Sequence, residues 1–543
     1  MNDDRKPWLI VLLPLMLGLA LAAGFLAGAR FGTPRVVNTG LFSFHRDRPI
    51  DKLDQVIELI DRNYVDSVRE GELVDQVLQD MLQKLDPHSY YISAAELNAV
   101  QEPLKGSFMG IGVEFSIQHD TIVVITPVEG GPSDKLGIRA GDRILSADGK
   151  SLAGVHVTND EVMKALRGDK GTKVTVAILR HNAKPFDVVI ERGEIPINSV
   201  AAALIDPDGT GYIKLSRFAM TTEEEFDRAV DQLMGLGMKR LVLDLRGNGG
   251  GYLNAAKALC DRLLPAGRRI LYTEGRASPR KDLFAEGGGP LTSMPLAVLI
   301  DEGSASASEI VAGAIQDNDR GIIVGRRSFG KGLVQEHMDL PDHSAVRITT
   351  ARYYTPSGRS IQRPYGEGID YDDDLSERFD HGEFLSPDSI HVDSSLRYTT
   401  LNGRTVFGGG GIMPDLFVPA DTAERSAYLT ELLFTGAMNQ FAFELAEQER
   451  ERLEAMGSPD RFNREFALGP ATLDRFQTEA EKLGVRRDPN GFARSSRLIA
   501  TRIKALVARN IWKEPGFYRI ALGDDGIYKA ARTALDQATT EKR

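Results

Sequence analysis

Leu296-Ala-Val-Leu-Ile-Asp-Glu-Gly-Ser-Ala-Ser-Ala-Ser-Glu-Ile310 is the stretch on which the fold of this chain turns. Its first five residues are apolar without interruption, as in a strand buried on both faces. Small residues follow, then a helical pattern over Ser308–Gln316. A strand, a tight turn and a helix in that order form half of a parallel α/β unit. The same unit lies upstream. Leu241–Leu245 reads as a buried strand, Gly247-Asn-Gly-Gly-Gly251 as its loop, and a helix runs on to about Leu264. Tyr212–Leu215 and Ile322–Val324 add further strands. Thr222-Glu-Glu-Glu225 reads as a capping box before Phe226, Val230 and Leu233 at helical spacing. Gly193 to about Pro419 is therefore expected to be a layered α/β core.

A serine at a strand-to-helix junction sits where the first helical N–H groups have no intrahelical partner. Those donors favour a developing negative oxygen. Ser306 stands at that place, between Ser304 and Ser308, with small neighbours that admit a second group. Ser308 is expected to cap the helix, with Glu309 in its first turn. A nucleophilic serine needs a base. Lys331 lies in the glycine-flanked turn Ser328-Phe-Gly-Lys-Gly332 beside the apolar Leu333-Val334. Desolvation there would lower its pKa, as a lysine base requires. Gln335, four residues on, could orient the amine. The glycines of Gly247–Gly251 could supply an oxyanion donor through their backbone N–H groups. The stretch Gly325–Gly332 nearly matches a phosphate loop, G-x-x-x-x-G-K-[ST]. Gly332 offers no hydroxyl in the last position, and the residues after it read as extended.

Outward from this core the pattern changes. Between about Lys105 and Arg192 short strands (Thr121–Thr126, Lys173–Arg180, Phe186–Glu191) surround one short helix, Asn159–Leu166, giving a compact α+β module. Asp51–Leu85 shows helical periodicity, stopped by Asp86-Pro87. Tyr365–Val406 is acidic and irregular, an insertion or surface excursion whose length points to function or to disorder. From Ala423 onward the chain reads as helical, with helices expected at Glu431–Arg452, Ala471–Leu483 and Ser495–Val507. Trp8–Ala29 is apolar and uncharged behind Arg5 and Lys6, long enough to span a bilayer with the remaining chain outside. An uncleaved anchor is favoured over a cleaved signal peptide ending near Ala27-Gly-Ala29. The 543 residues exceed a single core, and the net charge of -11 argues against a nucleic-acid partner. A single cysteine, Cys260, excludes an intrachain disulfide, and no ligand spacing indicates a metal or other cofactor.

The motifs together resemble the C-terminal processing peptidases, or tail-specific proteases. Leu85-Asp-Pro-His-Ser89 with Tyr91, Gly110-Ile-Gly-Val-Glu-Phe115, Gly131-Pro-Ser133 and Gly137-Ile-Arg-Ala-Gly-Asp142 match the family's N-terminal half. Leu243–Gly251, Ser304–Glu309, Phe329–Gln335, Thr350–Arg359 and Gly411-Ile-Met-Pro-Asp415 match its protease core. The resemblance implies a serine endopeptidase with Ser306 as nucleophile, Lys331 as general base and Gln335 as its orienting partner. Backbone N–H groups of Ala307 and of Gly249 or Gly250 would form the oxyanion hole. In a PDZ-like domain, Gly110, Ile111, Gly112 and Val113 would receive the C-terminal carboxylate of a protein substrate. The implied fold is multidomain α/β. A signal anchor (1–35) precedes an N-terminal helical region (36–104) and a PDZ-like α+β domain (105–192). A layered, crotonase-like peptidase core (193–420) and a helical C-terminal extension (421–543) follow. The location implied is the cell envelope, anchored to the inner membrane or periplasmic. Partners would be substrate tails, the membrane and a second copy in a homodimer.

Overall fold

The computed structural model describes Met16 and residues 49–180 and 183–541. The apolar segment Trp8–Ala29 lies outside the described residues, apart from Met16. Among the described residues, no helix is long and apolar enough to cross a membrane. The chain divides into two units at Val74 and Asp75. The first carries the helix Pro49–Asn63, on which Leu53, Ile57 and Ile60 are half-buried while Val56 and Leu59 remain exposed. The helix Glu70–Gln83 follows, so the expected helical stretch is broken in two.

Within the second unit, three separate cores organise the fold. The PDZ module builds a sheet in the order Val113–Gln118, Thr121–Pro127, Arg143–Ala147, Lys173–Leu179, Phe186–Glu191, and the short strand Lys150–Ser151 joins Arg143–Ala147. Ile122, Val124, Ile144, Val176 and Ile178 alternate inward and pack on Val162 and Leu166 of the helix Asn159–Leu166. That helix starts at Thr158, whose hydroxyl accepts the Glu161 N–H, while Glu161 returns a bond to the Thr158 N–H. Val113–Gln118 ends the sheet, so one of its edges is unpaired within the module.

The layered α/β core is a six-stranded sheet, Val200–Ile205, Thr210–Leu215, Arg240–Asp244, Leu296–Ile300, Ile322–Gly325, Leu416–Phe417. Every neighbour pair after the first is parallel. The continuous apolar strands follow from burial on two faces. One face packs on the helices Thr222–Gly235, Leu253–Leu263 and Ala307–Asp317. The other, through Tyr212, Val242, Ala297, Leu299 and Val324, packs on Ile527, Tyr528, Ala531 and Leu535 of the helix Gly526–Glu541. The end of the C-terminal region is thus a layer of the α/β core.

Three local expectations need correction. The helix after Thr221 has no capping box. Thr222 Oγ1 accepts the Ala219 N–H at 2.8 Å, and the Glu225 carboxylate accepts the N–H groups of Ser199 and Val200. Backbone donors outside the helix outcompete the local cap because Ser199 is buried beside Thr222. The expected helix Glu431–Arg452 breaks at Gly436, whose φ of 70° ends one helix and starts another. The acidic excursion Tyr365–Val406 is ordered, with a helix at Asp374–Asp380 and a hairpin pairing Arg397–Thr399 with Thr405–Phe407. The third core, around Phe441, Phe462, Phe476 and Ile503, holds the C-terminal helices from Ala427 to Ala521 together.

Candidate active site

The strand Leu296–Ile300 delivers the chain into the serine turn, and two of the three serines tether it. Ser304 Oγ donates to the Leu245 carbonyl at 2.9 Å. Ser308 Oγ donates to the Asn248 carbonyl at 2.8 Å. Ser308 is therefore a cross-brace to the glycine loop, and the residue at the cap position is Ser306. Ser306 has φ 54° and ψ -111°, a conformation that costs a non-glycine residue strain. The strain is held by the braces on either side and by Glu309, which accepts the Ser306 N–H at 2.8 Å.

Glu309 is fully buried and organises a second strand of the site. Its carboxylate accepts the N–H of Gly330 at 2.7 Å, the N–H of Lys331 at 2.9 Å and the Ser328 hydroxyl. Burial pushes its pKa up, against the pull of these donors. The phenol of Tyr353 reaches the Lys331 carbonyl at 3.0 Å and the Ser306 carbonyl at 3.3 Å. The turn bearing Lys331 is also held from behind. Arg378, in the acidic segment, donates to the carbonyls of Arg327 (2.9 Å) and Ser328 (3.2 Å), and Glu383 pairs with both Arg378 and Arg327.

Burial lowers the Lys331 pKa, and the charge of Arg347 lowers it further, while Glu309 and Asp86 oppose the shift. Asp86 and His88 belong to the turn before the strand Tyr90–Ile92, which pairs with Ala345–Tyr354. His88 is held down to about 4 by burial first and by Lys331 second. Lys331, Ser306 and Gln335 line one cavity of about 460 Å³, together with Gly249, Gly250, Gly251, Leu253, His337, Arg347 and Tyr353. Gln335 turns its amide to Thr349, donating from Nε2 to Oγ1 at 3.4 Å.

The glycine loop closes against the serine. A Cβ on Gly250 would stand 2.8 Å from Ser306 Cβ and 2.9 Å from the Ala307 nitrogen, at φ 99°. Only glycine fits such an approach. The Gly250 N–H donates to Asn248 Oδ1 at 2.9 Å and is engaged. Among the described residues, no protein acceptor takes the N–H of Gly249 or Ala307.

In the PDZ module, Gly110–Val113 joins the strands Ser107–Gly110 and Val113–Gln118. The Ile111 carbonyl accepts from the Ser133 N–H and hydroxyl, and the Gly112 carbonyl from the Val128 N–H. The N–H groups of Ile111 and Gly112 have no protein acceptor among the described residues. Unpaired loop donors beside a free strand edge suit a peptide that ends in a carboxylate.

Residues 209–375 match Peptidase family S41, residues 109–191 a PDZ domain, and residues 428–513 a family of unknown function (DUF8443). The chain is 31% identical over 364 residues to the carboxy-terminal processing protease CtpA of Bacillus subtilis, covering 67% of this chain and 76% of that one. The chain belongs to peptidase family S41, the C-terminal processing proteases. The carboxy-terminal-processing protease of Bartonella bacilliformis is 38% identical over 321 residues, 58% of this chain and 73% of that one. Among solved structures, the photosystem II D1 C-terminal processing protease is 28% identical over 68% of this chain and 92% of that one, with a TM-score of 0.34. This C-terminal processing protease is a serine peptidase that recognises its substrates through a PDZ domain.

Sequence reasoning named Ser306, Lys331, Gln335, Gly249 and Gly250, all of which line the cavity, and Ala307, which does not. It missed Arg347, Tyr353 and the role of Asp86 and His88 as neighbours of the amine. Asp86 and His88 carried a signal as part of the Leu85–Ser89 motif, and Tyr353 as part of Thr350–Arg359; Arg347 lay in no motif.

Proposed function

We propose that Ser306 is the nucleophile of this protease and Lys331 its general base. What supports the reading most is the single oxygen, Glu309 Oε2, that accepts the N–H of both residues. It fixes the two main chains against each other at the wall of one cavity. The lowered pKa of the Lys331 amine suits a base that must be neutral to act. Neutral Lys331 takes the proton of Ser306 Oγ as that oxygen attacks the substrate carbonyl carbon. The negative charge on the carbonyl oxygen would be met by the free N–H groups of Ala307 and Gly249. Lys331 then gives its proton to the departing amine, which leaves an ester on Ser306. Water attacks this acyl-enzyme with Lys331 again as base, releasing a carboxylate and the serine.

The substrate tail docks first, by adding as a strand to the edge Val113–Gln118 with its terminal carboxylate at Gly110, Ile111, Gly112 and Val113. The uncharged run Trp8–Ala29 supports a location in the cell envelope, with the membrane as partner. The exposed Val56 and Leu59 on the helix Pro49–Asn63 support a homodimer through this helix.

Digestion of an unfolded protein such as casein tests the reading. Ser306→Ala and Lys331→Ala should each abolish cleavage while both variants remain folded. Full activity in both would remove the dyad. A peptide with an amidated C-terminus should be cleaved more slowly than the same peptide with a free one.

A further inference from the structure

The turn Asp86-Pro-His-Ser89 has no part in the mechanism above, yet its hydrogen bonds lead to the site. Asp86 is buried, and its carboxylate accepts four bonds. Oδ1 takes the N–H of His88 (2.8 Å), the N–H of Ser89 (2.9 Å) and the hydroxyl of Thr349 (3.1 Å). Oδ2 takes the Ser89 hydroxyl at 2.6 Å. Ser89 Oγ in turn accepts the Thr349 N–H at 3.0 Å, so the turn grips the strand Ala345–Tyr354 twice at one residue.

The direction of each bond in this chain is determined. An ionised carboxylate accepts and cannot donate, and a hydroxyl has one hydrogen. Thr349 spends that hydrogen on Asp86, so its oxygen can only accept from the next group. The next group is Gln335, which meets Thr349 Oγ1 with Nε2 at 3.4 Å. A glutamine amide can present either its oxygen or its nitrogen, and the two ends are sterically alike. Here Thr349 admits only the nitrogen. The carbonyl end, Oε1, is thereby left free in the cavity that Gln335 shares with Lys331. An amide oxygen is what an amine can donate to, whereas an amide nitrogen would face it donor to donor.

We propose that Asp86 is a positioning residue of the catalytic lysine. It acts through Thr349 to fix the polarity of Gln335, so that an oxygen and not an N–H₂ group is offered to Lys331. The inference rests on Lys331 being the base.

Steady-state kinetics on a peptide substrate across pH test the chain. The charged and titratable groups around the amine are Arg347 and Tyr353 on one strand, His337 on its neighbour, Glu309 on the serine helix, and Asp86 and His88 in the turn. Thr349→Val keeps the shape and removes the relay. It should lower kcat about tenfold or more with KM little changed, because a misaimed group costs rate and not binding. Asp86→Ala takes away the oxygen that accepts the Thr349 hydrogen, so the hydroxyl can donate to Gln335 instead and let its amide turn over, and kcat should fall similarly. The same variant also removes a negative charge that favours the ammonium, so the rising limb of the pH profile should move to lower pH. Thr349→Val alters no charge and should leave the limb in place. The double variant should be no worse than either single one, since both break one chain.

Thermal melts distinguish loss of fold from loss of aim. If Asp86→Ala does not fold, Thr349→Val and Gln335→Met carry the test, and Gln335→Met should match Thr349→Val in kcat. Unchanged kcat in Thr349→Val, or additive losses in the double variant, would overturn the proposal. Lys331→Ala separates the two readings. If Lys331→Ala is inactive while the Asp86 and Thr349 variants keep full kcat, this inference alone fails. If Lys331→Ala is active, the base assignment fails first.

Discussion

One carboxylate oxygen of Glu309 accepts the N–H of Lys331 at 2.9 Å, and the same oxygen accepts the N–H of Ser306 at 2.8 Å. The serine sits on a helix N-terminus and the lysine in a turn after the neighbouring parallel strand. Their separation along the chain is spanned by one buried side chain. The other oxygen holds Ser328 and Gly330, so the whole lysine turn hangs from the first turn of the serine helix.

Glu309→Gln replaces one acceptor oxygen by an N–H₂ group that faces donors. With the amide nitrogen at the Oε2 place two of the four bonds become donor against donor, and at the Oε1 place one does, because the Ser328 hydroxyl can turn to accept. A buried unsatisfied group costs about 1–3 kcal/mol. The expected outcome is a lower melting temperature and a loss of kcat of about a hundredfold. Chemical denaturation and peptide kinetics on the same preparation measure both.

The lysine should leave a mark on stability as well as on activity. Its folded pKa lies below the unfolded value, so the unfolded chain binds more protons between the two. The cost of burying the ammonium is therefore fully present below the folded pKa and fades as pH rises towards the unfolded one. Lys331→Met should melt at a higher temperature than the natural protein at pH 7, and the gap should narrow by about pH 10. Thermal melts across that range measure it.

Arg347 lowers the Lys331 pKa by its charge and lines the same cavity. Arg347→Met removes that repulsion, so the ammonium gains and the rising limb of activity should move to higher pH. A limb that stays in place, measured as kcat/KM against pH, would remove Arg347 from the tuning of the base.

Gly112 turns the Gly110–Val113 loop, where we propose the substrate carboxylate docks, at φ 75°, and a Cβ there would stand 2.8 Å from Ile195 Cδ1. Gly112→Val should distort the loop that receives substrate tails. KM for substrates with a free C-terminus should rise by about tenfold or more, while the cleavage rate of a short internal peptide changes little.

Much of this architecture was legible from the sequence, for reasons that differ by element. The strand Leu296–Ile300 and its serine turn could be read because a doubly buried parallel strand is continuously apolar. The PDZ helix Asn159–Leu166 carries its own capping box and was found to the residue. The capping box expected at Thr222 was not there, because its glutamate is claimed by Ser199 and Val200, distant in sequence. Ser308 looked like a cap and is a brace, for the same reason: its acceptor, Asn248, lies on another loop. The last helix offered no motif. Its apolar stripe, Ile527, Tyr528, Ala531 and Leu535, says that it is covered but not by what. Its role in roofing the protease sheet is visible only in three dimensions. Tyr528→Ala should accordingly destabilise the protease core by about 3–5 kcal/mol.

The most direct measurement is the rate at which a fluorophosphonate attaches covalently to the protein, followed by mass spectrometry and peptide mapping. The account expects one adduct, on Ser306, forming faster as pH rises and at least about a hundredfold slower in Lys331→Met. An adduct on a different residue, or equal labelling rates in the natural protein and Lys331→Met, would contradict it.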